Sequence, residues 1–371
     1  MKKLRKSIAV LLVMMMAALT GGVLTGCGGS SGEAGEVNIY MWSEYMAPTL
    51  AEQFEEETGI KVNFSYMSTT EEAVAKITSG GGSEYDLIMP SDADMTSLIE
   101  GGYLEEINLD NLPNFDNLDD AYKYREFDPE NKYAIPYLMN YVYVIYNKDK
   151  CPIEITSYND LLKPEMKGQI SSVTGVRNLF AMALAAQGLD PNSKDEADIE
   201  KAYEWCLEYS KNVVAFDSDS PETLLINGGA TAAYVFDGQV TKAINETKAG
   251  SGDEIVIAEF DEDPIQLGVD EFVIPAGAKN KENAEAFLNF LLDADVMASN
   301  LQYMYDEEGN VVSCPNAAAL DLMSDEYRSS PAINLPEKMK NNYYLQLDVG
   351  DAAKIYDEYW TKFQSEAGEV E

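Results

Sequence analysis

The residues best equipped for chemistry stand in one short run, Trp42-Ser43-Glu44-Tyr45, which offers two aromatic faces, a hydroxyl and a carboxylate. That set suits a cation. Ring faces attract positive charge and a carboxylate accepts charge-assisted hydrogen bonds from an ammonium. The competing reading is a plain strand-to-helix corner with Trp42 in the core, since large aromatic residues are mostly buried. A second polar group, Ser91 with Asp92 and Asp94, serves a helix start as readily as a ligand, because Ser is a preferred N-cap and acids in a first turn suit the helix dipole. The chain has no histidine, which removes His-based triads, His acid–base chemistry and His-containing zinc sites.

These residues need elements to position them. Val37, Ile39 and Met41 alternate with Asn38 and Tyr40, the period of a strand. In open α/β sheets the ligand crevice lies beyond the carboxyl ends of the strands, where Trp42 to Tyr45 would stand. A helix over Pro48 to Glu57, closed by Gly59, leads to a strand through Ile60, Val62, Phe64 and Tyr66. A helix over Glu71 to Thr78 then leads to a buried-type strand, Tyr85 to Pro90. Three such steps predict a largely parallel sheet covered by helices. Further on, a turn at Asp128-Pro129-Glu130-Asn131 precedes Tyr133 to Tyr137, and Tyr141 to Tyr146 forms a long strand. Strands are also expected at Gln169–Ser172, Val213–Phe216, Ala232–Phe236, Glu254–Phe260 and Leu267–Pro275. Helices are expected at Val176–Ala186, Glu196–Tyr209, Glu222–Ile226 and Gln239–Glu246, with two more around Phe287 and Tyr359.

Bulk properties narrow the function. At 371 residues the chain is long enough for two domains, and 46% hydrophobic with 25% charged residues is a globular composition. A balance of 26 basic against 65 acidic residues, net −39, disfavours nucleic acid and anionic lipid and favours cations. Most of those carboxylates serve solubility whatever the ligand is. Lys2, Lys3, Arg5 and Lys6 precede an apolar run from Ile8 to Leu19, as in a targeting segment too short to span a membrane. Its end, Leu24-Thr25-Gly26-Cys27, resembles a bacterial lipobox. The resemblance implies cleavage before Cys27, lipid on that residue and anchorage outside the cytoplasm, with a plain secretory signal as runner-up. Loss of the four basic residues leaves 22 against 65, or −43. Gly- and Ser-rich residues 27–36 then read as a tether. Cys151, Cys206 and Cys314 allow at most one disulfide and show no metal-knuckle spacing.

Six segments in order carry a resemblance: Tyr40 to Tyr45, Glu57-Thr58-Gly59-Ile60-Lys61-Val62, Tyr85 to Ser91, Asp160 to Gly168, Ile274 to Lys281 and Asp348-Val349-Gly350. Together they look like the spermidine/putrescine-binding proteins of polyamine ABC transporters, over Val37 to about Phe363. The resemblance implies an α/β, two-lobed type II periplasmic-binding-protein fold with hinge strands. Lobe 1 would comprise 37–142 with 272–318, and lobe 2 146–268 with 322–365, after a signal peptide over 1–26. It implies a monomeric, non-catalytic receptor without cofactor or metal, which holds a small cationic solute in the interlobe cleft and passes it to a membrane permease.

Position by position, the resemblance assigns Trp42, Ser43, Tyr45, Ser91, Phe236, Asp270 and Gln346 to the ligand. Glu44, Asp92 and Asp237 join them by adjacency alone. Ordinary roles stand beside these: core for Phe236, a hinge salt bridge for Asp270, a surface amide for Gln346. The sequence also departs from the family. Gly175 and Asn178 fall where the second lobe usually places an acid, and Ala93, Gly268 and Val312 where aromatic residues line the channel. The cleft should be less acidic and less aromatic than a spermidine site. Tyr141 is a further candidate wall, and Arg177 is either a structural cap or a mark of an anionic group on the ligand. The alternatives are a different small solute, a receptor that informs a sensor, and a hydrolase using a carboxylate pair, which needs no His.

Overall fold

The alternation that begins at Val37 becomes the first strand, β1 (Glu36–Trp42), with Val37, Ile39 and Met41 wholly buried and Trp42 delivered at its carboxyl end. The computed structural model describes residues 35–367 apart from Glu44, Ser68 and Asn341. The strands that follow are β2 (Lys61–Met67), β3 (Leu87–Ile88), β4 (Ala134–Asn147), β5 (Ile170–Ser172), β6 (Val213–Phe216), β7 (Ala232–Phe236), β8 (Ile255–Ile257), β9 (Ile265–Val273) and β10 (Tyr343–Leu345). They form one sheet in the order β2-β1-β3-β9-β4-β7-β5-β6, with β10 beside β9 and β8 beside β4.

The sheet has two parallel groups joined by an antiparallel pair. β1 is parallel to β2 and β3, and β5 is parallel to β6 and β7. Between the groups run β9 and β4, antiparallel to each other and to their neighbours β3 and β7. Parallel neighbours need crossovers, and helices supply them. The first is α1 (Pro48–Thr58), opened by Pro48 and closed by Gly59 in the left-handed conformation at φ 74°. The second is α2 (Thr70–Thr78), whose first turn is capped by the Thr69 side chain accepting from Glu72 N–H at 3.3 Å. Next come α3 (Met95–Glu100), α4 (Val176–Ala185), α5 (Glu196–Ser210), α6 (Glu222–Ile226) and α7 (Asp237–Gly250). After β9 the chain forms α8 (Lys281–Leu291) and α9 (Ala294–Glu308), and it closes in a helix over Ala353–Ala367.

Several expectations change. The strand expected over Tyr85 to Pro90 shrinks to β3, because the Asp86 carboxylate turns to Asn38 N–H and Asn280 N–H, each at 2.9 Å, and Pro90 has no N–H to give. Two separate extended runs merge into the fourteen-residue β4, with Pro136 absorbed at a register shift before Leu138. The helix expected from Gln239 starts at Asp237 and runs to Gly250. The strand expected over Glu254 to Phe260 keeps only its first half. Helix α9 and strand β10 were not anticipated; α9 starts where Asp293 accepts from the N–H groups of Asp295 and Val296, at 3.0 and 3.3 Å. Cys151, Cys206 and Cys314 are all free thiols.

The core between α1 and α8 is aromatic. Phe54 meets Phe287 edge-on at 5.0 Å and Phe290 at 5.3 Å, which locks the helix after β1 onto the helix after β9. Phe287→Ala should therefore cost about 3–5 kcal/mol of stability. A denaturant titration would check it, and a loss well below that range would mean that this contact does not hold the two helices together.

Candidate functional site

The loop after β1 is clamped from behind. Tyr45 carbonyl accepts from Tyr137 OH at 2.9 Å and from Asn300 Nδ2 at 3.0 Å, while Asn300 Oδ1 accepts from Ala47 N–H at 2.7 Å. Asn300 is completely buried on α9, so it fixes this loop at a distance in sequence of more than 250 positions. The half-buried Trp42 and Tyr45 rings lie 6.3 Å apart at 45°. Tyr45 reaches onward through its side chain to the Asp270 carboxylate on β9. Trp42, Tyr45 and Asp270 are thus one contiguous group, and Ser91 joins it by pairing with Asp270 as an antiparallel bridge.

Asp270 is nearly sealed from solvent, at 6% exposure, and its environment sets its acidity. Burial pushes its carboxyl up to about 7; hydrogen bonds from Tyr45 and Asn140 oppose that rise, and the neighbouring Asp94 adds to it. The Asn140 bond is Nδ2 to Oδ2 at 3.2 Å. Asp94 is itself raised to about 6 by burial, against hydrogen bonds from Ser91 Oγ at 3.1 Å and Ser91 N–H at 3.4 Å. Ser91 and Asp94 therefore satisfy each other at the start of the turn that leads into α3, the ordinary capping role.

Asp92 behaves differently. Its buried carboxylate faces Arg125 Nη2 at 3.4 Å, so a protein cation already counters its charge. One oxygen of Asp92 and one of the adjacent buried Glu271 have no partner, and burial raises the pKa of both groups. Asp237 is buried too, at the first turn of α7, where it accepts from Gly238 N–H at 3.0 Å, Ser313 N–H at 3.4 Å and the Tyr141 backbone. Burial lifts it to about 8, and its oxygens tie α7 to β4 and to the segment around Ser313. Tyr141 is buried and exchanges a hydrogen bond with Tyr122.

Strand register shows what shares a face. Gln266, Gly268 and Asp270 alternate onto one side of β9, opposite Val142, Asn140 and Leu138 of β4, and Phe236 of β7 lies opposite Val142. The Gln266 end, roughly 13 Å along the strand from Asp270, is built from amides. Asn178 Oδ1 accepts from Gln266 Nε2 at 3.0 Å and Gln346 Nε2 at 3.1 Å, and its own Nδ2 donates to Thr174 carbonyl at 3.0 Å. Gln346 and Asn178 therefore meet, beside Gly175 at the cap of α4. Arg177 donates to Leu347 carbonyl at 3.1 Å and Asn192 Oδ1 at 2.8 Å and lies over the Tyr356 ring, while its buried Nε has no partner among the described residues.

Ser43 is exposed beside Trp42, Phe236 is half-buried, and Glu44 and Cys27 lie outside the described residues. Sequence reading passed over Asn140, Gln266 and Asn300, whose roles depend on partners far along the chain. No group of three or more potential metal ligands occurs among the described residues, and no described helix is long and apolar enough to cross a membrane. Two surface hollows, of about 760 Å³ around Ser157 and Asp263 and about 690 Å³ around Glu57 and Asn289, are lined by none of the candidate ligand residues.

Comparison with known proteins agrees with this architecture. Residues 49–333 match the family of bacterial extracellular solute-binding proteins. The chain is 35% identical over 334 residues to a spermidine/putrescine-binding periplasmic protein of Salmonella typhimurium, covering 88% of this chain and 91% of that one. It is 29% identical over 344 residues to the putrescine-binding periplasmic protein PotF of Escherichia coli, covering 89% and 91%. Among solved structures, the spermidine/putrescine ABC transporter substrate-binding protein PotD of Streptococcus pneumoniae superposes with a TM-score of 0.73 at 25% identity, over 90% of this chain and 99% of that one. With a two-group sheet joined by β4 and β9 and matches that span nearly its whole length, the chain belongs to the bacterial extracellular solute-binding proteins, in the two-lobed type II fold of the spermidine/putrescine-binding group.

Proposed function

We propose that this protein is the substrate-binding lipoprotein of an ABC importer, and that it captures a polyamine of the putrescine or spermidine type between its lobes without altering it. What supports the reading is the buried Asp270 carboxylate, held by the neutral donors Tyr45 and Asn140 and set beside the Trp42 and Tyr45 rings. Such a carboxylate lacks a counter-charge, and an ammonium supplies one. In this reading Ser43, Glu44, Ser91, Phe236 and Gln346 complete the walls, with Asp92 and Asp237 as buried carboxyl groups behind them. The lobes divide at 37–142 with 272–318 and 146–268 with 322–365, so that β4 and β9 act as the hinge. Lipid on Cys27 would hold a monomer outside the cytoplasm beside its permease.

The magnitudes suffice. A charge-assisted contact contributes about 1.5–3 kcal/mol and each cation–π contact about 0.5–2, while micromolar binding needs only about −8 kcal/mol net. The net charge of −39 also draws cations toward the cleft. A second reading, a singly charged amine with a neutral far end, is favoured by the amides Asn178, Gln266 and Gln346 where a second carboxylate would otherwise receive a second ammonium.

Calorimetry on the soluble chain with putrescine, spermidine, spermine and monoamines separates these. Heat with a polyamine supports the first reading, heat with monoamines alone supports the second, and none with any amine at millimolar concentration removes both. Asp270→Asn should weaken amine binding at least about tenfold; unchanged affinity would exclude Asp270 from the site. Acidity gives an independent check. The cation requires ionised Asp270, whose carboxyl is raised to about 7, so affinity should climb from pH 5.5 to 8. The empty protein should show the reverse, because its raised carboxyls hold protons that the unfolded chain releases above about pH 4. Its melting temperature should therefore fall over the same interval, and ligand should restore more stability at pH 8 than at pH 5.5. A flat affinity profile would contradict the role given to Asp270.

A further inference from the structure

Every side chain of the fourteen-residue β4 is buried except that of Asn140. Its register partner across the sheet is Gly268, in a strand whose nine residues are all buried. The pairing is close. A side-chain carbon added at Gly268 would lie 2.3 Å from Asn140 Oδ1, 3.1 Å from its Cγ and 3.2 Å from its Nδ2, so the amide lies flat across the space that a residue other than glycine would fill. From there Nδ2 donates to Asp270 Oδ2 at 3.2 Å. An ionised carboxylate only accepts, so the NH₂ group must face it and Oδ1 must face away over Gly268. Among the described residues, no donor reaches that oxygen.

We propose that Asn140 is a specificity-determining ligand contact, whose Oδ1 and the Asp270 carboxylate together accept N–H groups from one ammonium, so that the cleft takes primary ammonium ligands and rejects quaternary ones. This rests on the reading of Asp270 as the cation anchor. The chemistry follows from the donors each ligand carries. A primary ammonium has three N–H groups to share between the carboxylate and the amide oxygen, whereas a quaternary ammonium has none, which leaves the Asn140 oxygen without a donor and the Asp270 carboxylate with only its bonds from Tyr45 and Asn140. The Trp42 and Tyr45 faces do not discriminate, because a ring quadrupole attracts either cation. Gly268 is part of the device, since only the absence of a side chain lets the amide lie there.

The test is calorimetry on the intact chain with putrescine and its bis(trimethylammonium) analogue. The unaltered protein should favour putrescine by about 100-fold, two acceptors denied a ligand N–H being worth roughly a factor of ten each. Asn140→Leu should weaken putrescine about tenfold and leave the analogue within about twofold, which cuts the preference from about 100-fold to about tenfold. Gly268→Ala should do the same from the other side of the contact, by displacing the amide without changing its chemistry; a thermal melt confirms that each variant is folded. The charged and titratable groups around Asp270 are Tyr45 on the β1 loop, Asp94 and Asp92 beside Ser91, and Glu271 on its own strand, with Arg125 paired to Asp92. Asn140→Leu removes a donor that holds Asp270 ionised, so the pH midpoint of putrescine binding should move upward. A merely structural Asn140 would weaken both ligands alike and leave that midpoint in place. Should both variants keep the ratio and the midpoint while putrescine still binds, the role of Asn140 is overturned alone; should the unaltered protein bind neither amine, the cation anchor falls with it.

Discussion

A carboxylate inside a strand with no exposed position is costly to keep charged, and the surroundings of Asp270 are organised around that cost. Two neutral donors reach it, Tyr45 from the loop after β1 and Asn140 from β4, and neither brings a positive charge. The donors are themselves fixed. Tyr45 is held through its carbonyl by Tyr137 and Asn300, and Asn140 by its seat over Gly268. Hydrogen bonds without a counter-ion leave the carboxyl poised between its two protonation states near neutrality, as its raised pKa of about 7 expresses. A group in that condition responds strongly to an incoming cation and weakly to a neutral solute.

The sheet explains how such a residue comes to lie between its two parallel groups. β4 and β9 are the antiparallel pair between two parallel groups, and each borders one of them. One face of that pair runs from Asp270 past Gly268 and Asn140 to Gln266 and carries the polar groups discussed above, an acid at one end and amides at the other. The neighbouring acids are differently employed. Arg125 answers Asp92, backbone N–H groups answer Asp237, and Ser91 answers Asp94. A net charge of −39 thus contributes a long-range attraction for cations, while a single carboxylate on this face is left without a protein cation beside it.

Much of this was legible in local pattern. The alternation at Val37, Ile39 and Met41, the Pro48 and Gly59 boundaries of the first helix, and the spacing of Ala284, Phe287, Leu288 and Leu291 all report a periodic apolar face meeting a core. Order along the chain then placed Trp42, Tyr45, Ser91, Asp270 and Gln346 by resemblance, and the structure brings the first four into one group. At β3 the strand falls short because the Asp86 carboxylate takes up competing bonds, whereas at Pro136 a register shift lets two runs join as β4. Helix α9 went unassigned, although its Asn300 turned out to clamp the Tyr45 loop.

Composition, periodicity and motif order are properties of neighbours along the chain, and they were enough for the α/β class, the acidic preference for cations and the position of the aromatic run. Which polar groups meet is a matter of strand register and of contacts between residues far apart, such as Asn140 and Asp270, 130 positions from each other. A one-residue slip of β4 against β9 would turn Asn140 to the other face and leave Gly268 uncovered, with no change in any local pattern. For that reason the aromatic and acidic residues, and Gln346, could be read from the chain, whereas Asn140 and Gln266 appear only once the strands are paired.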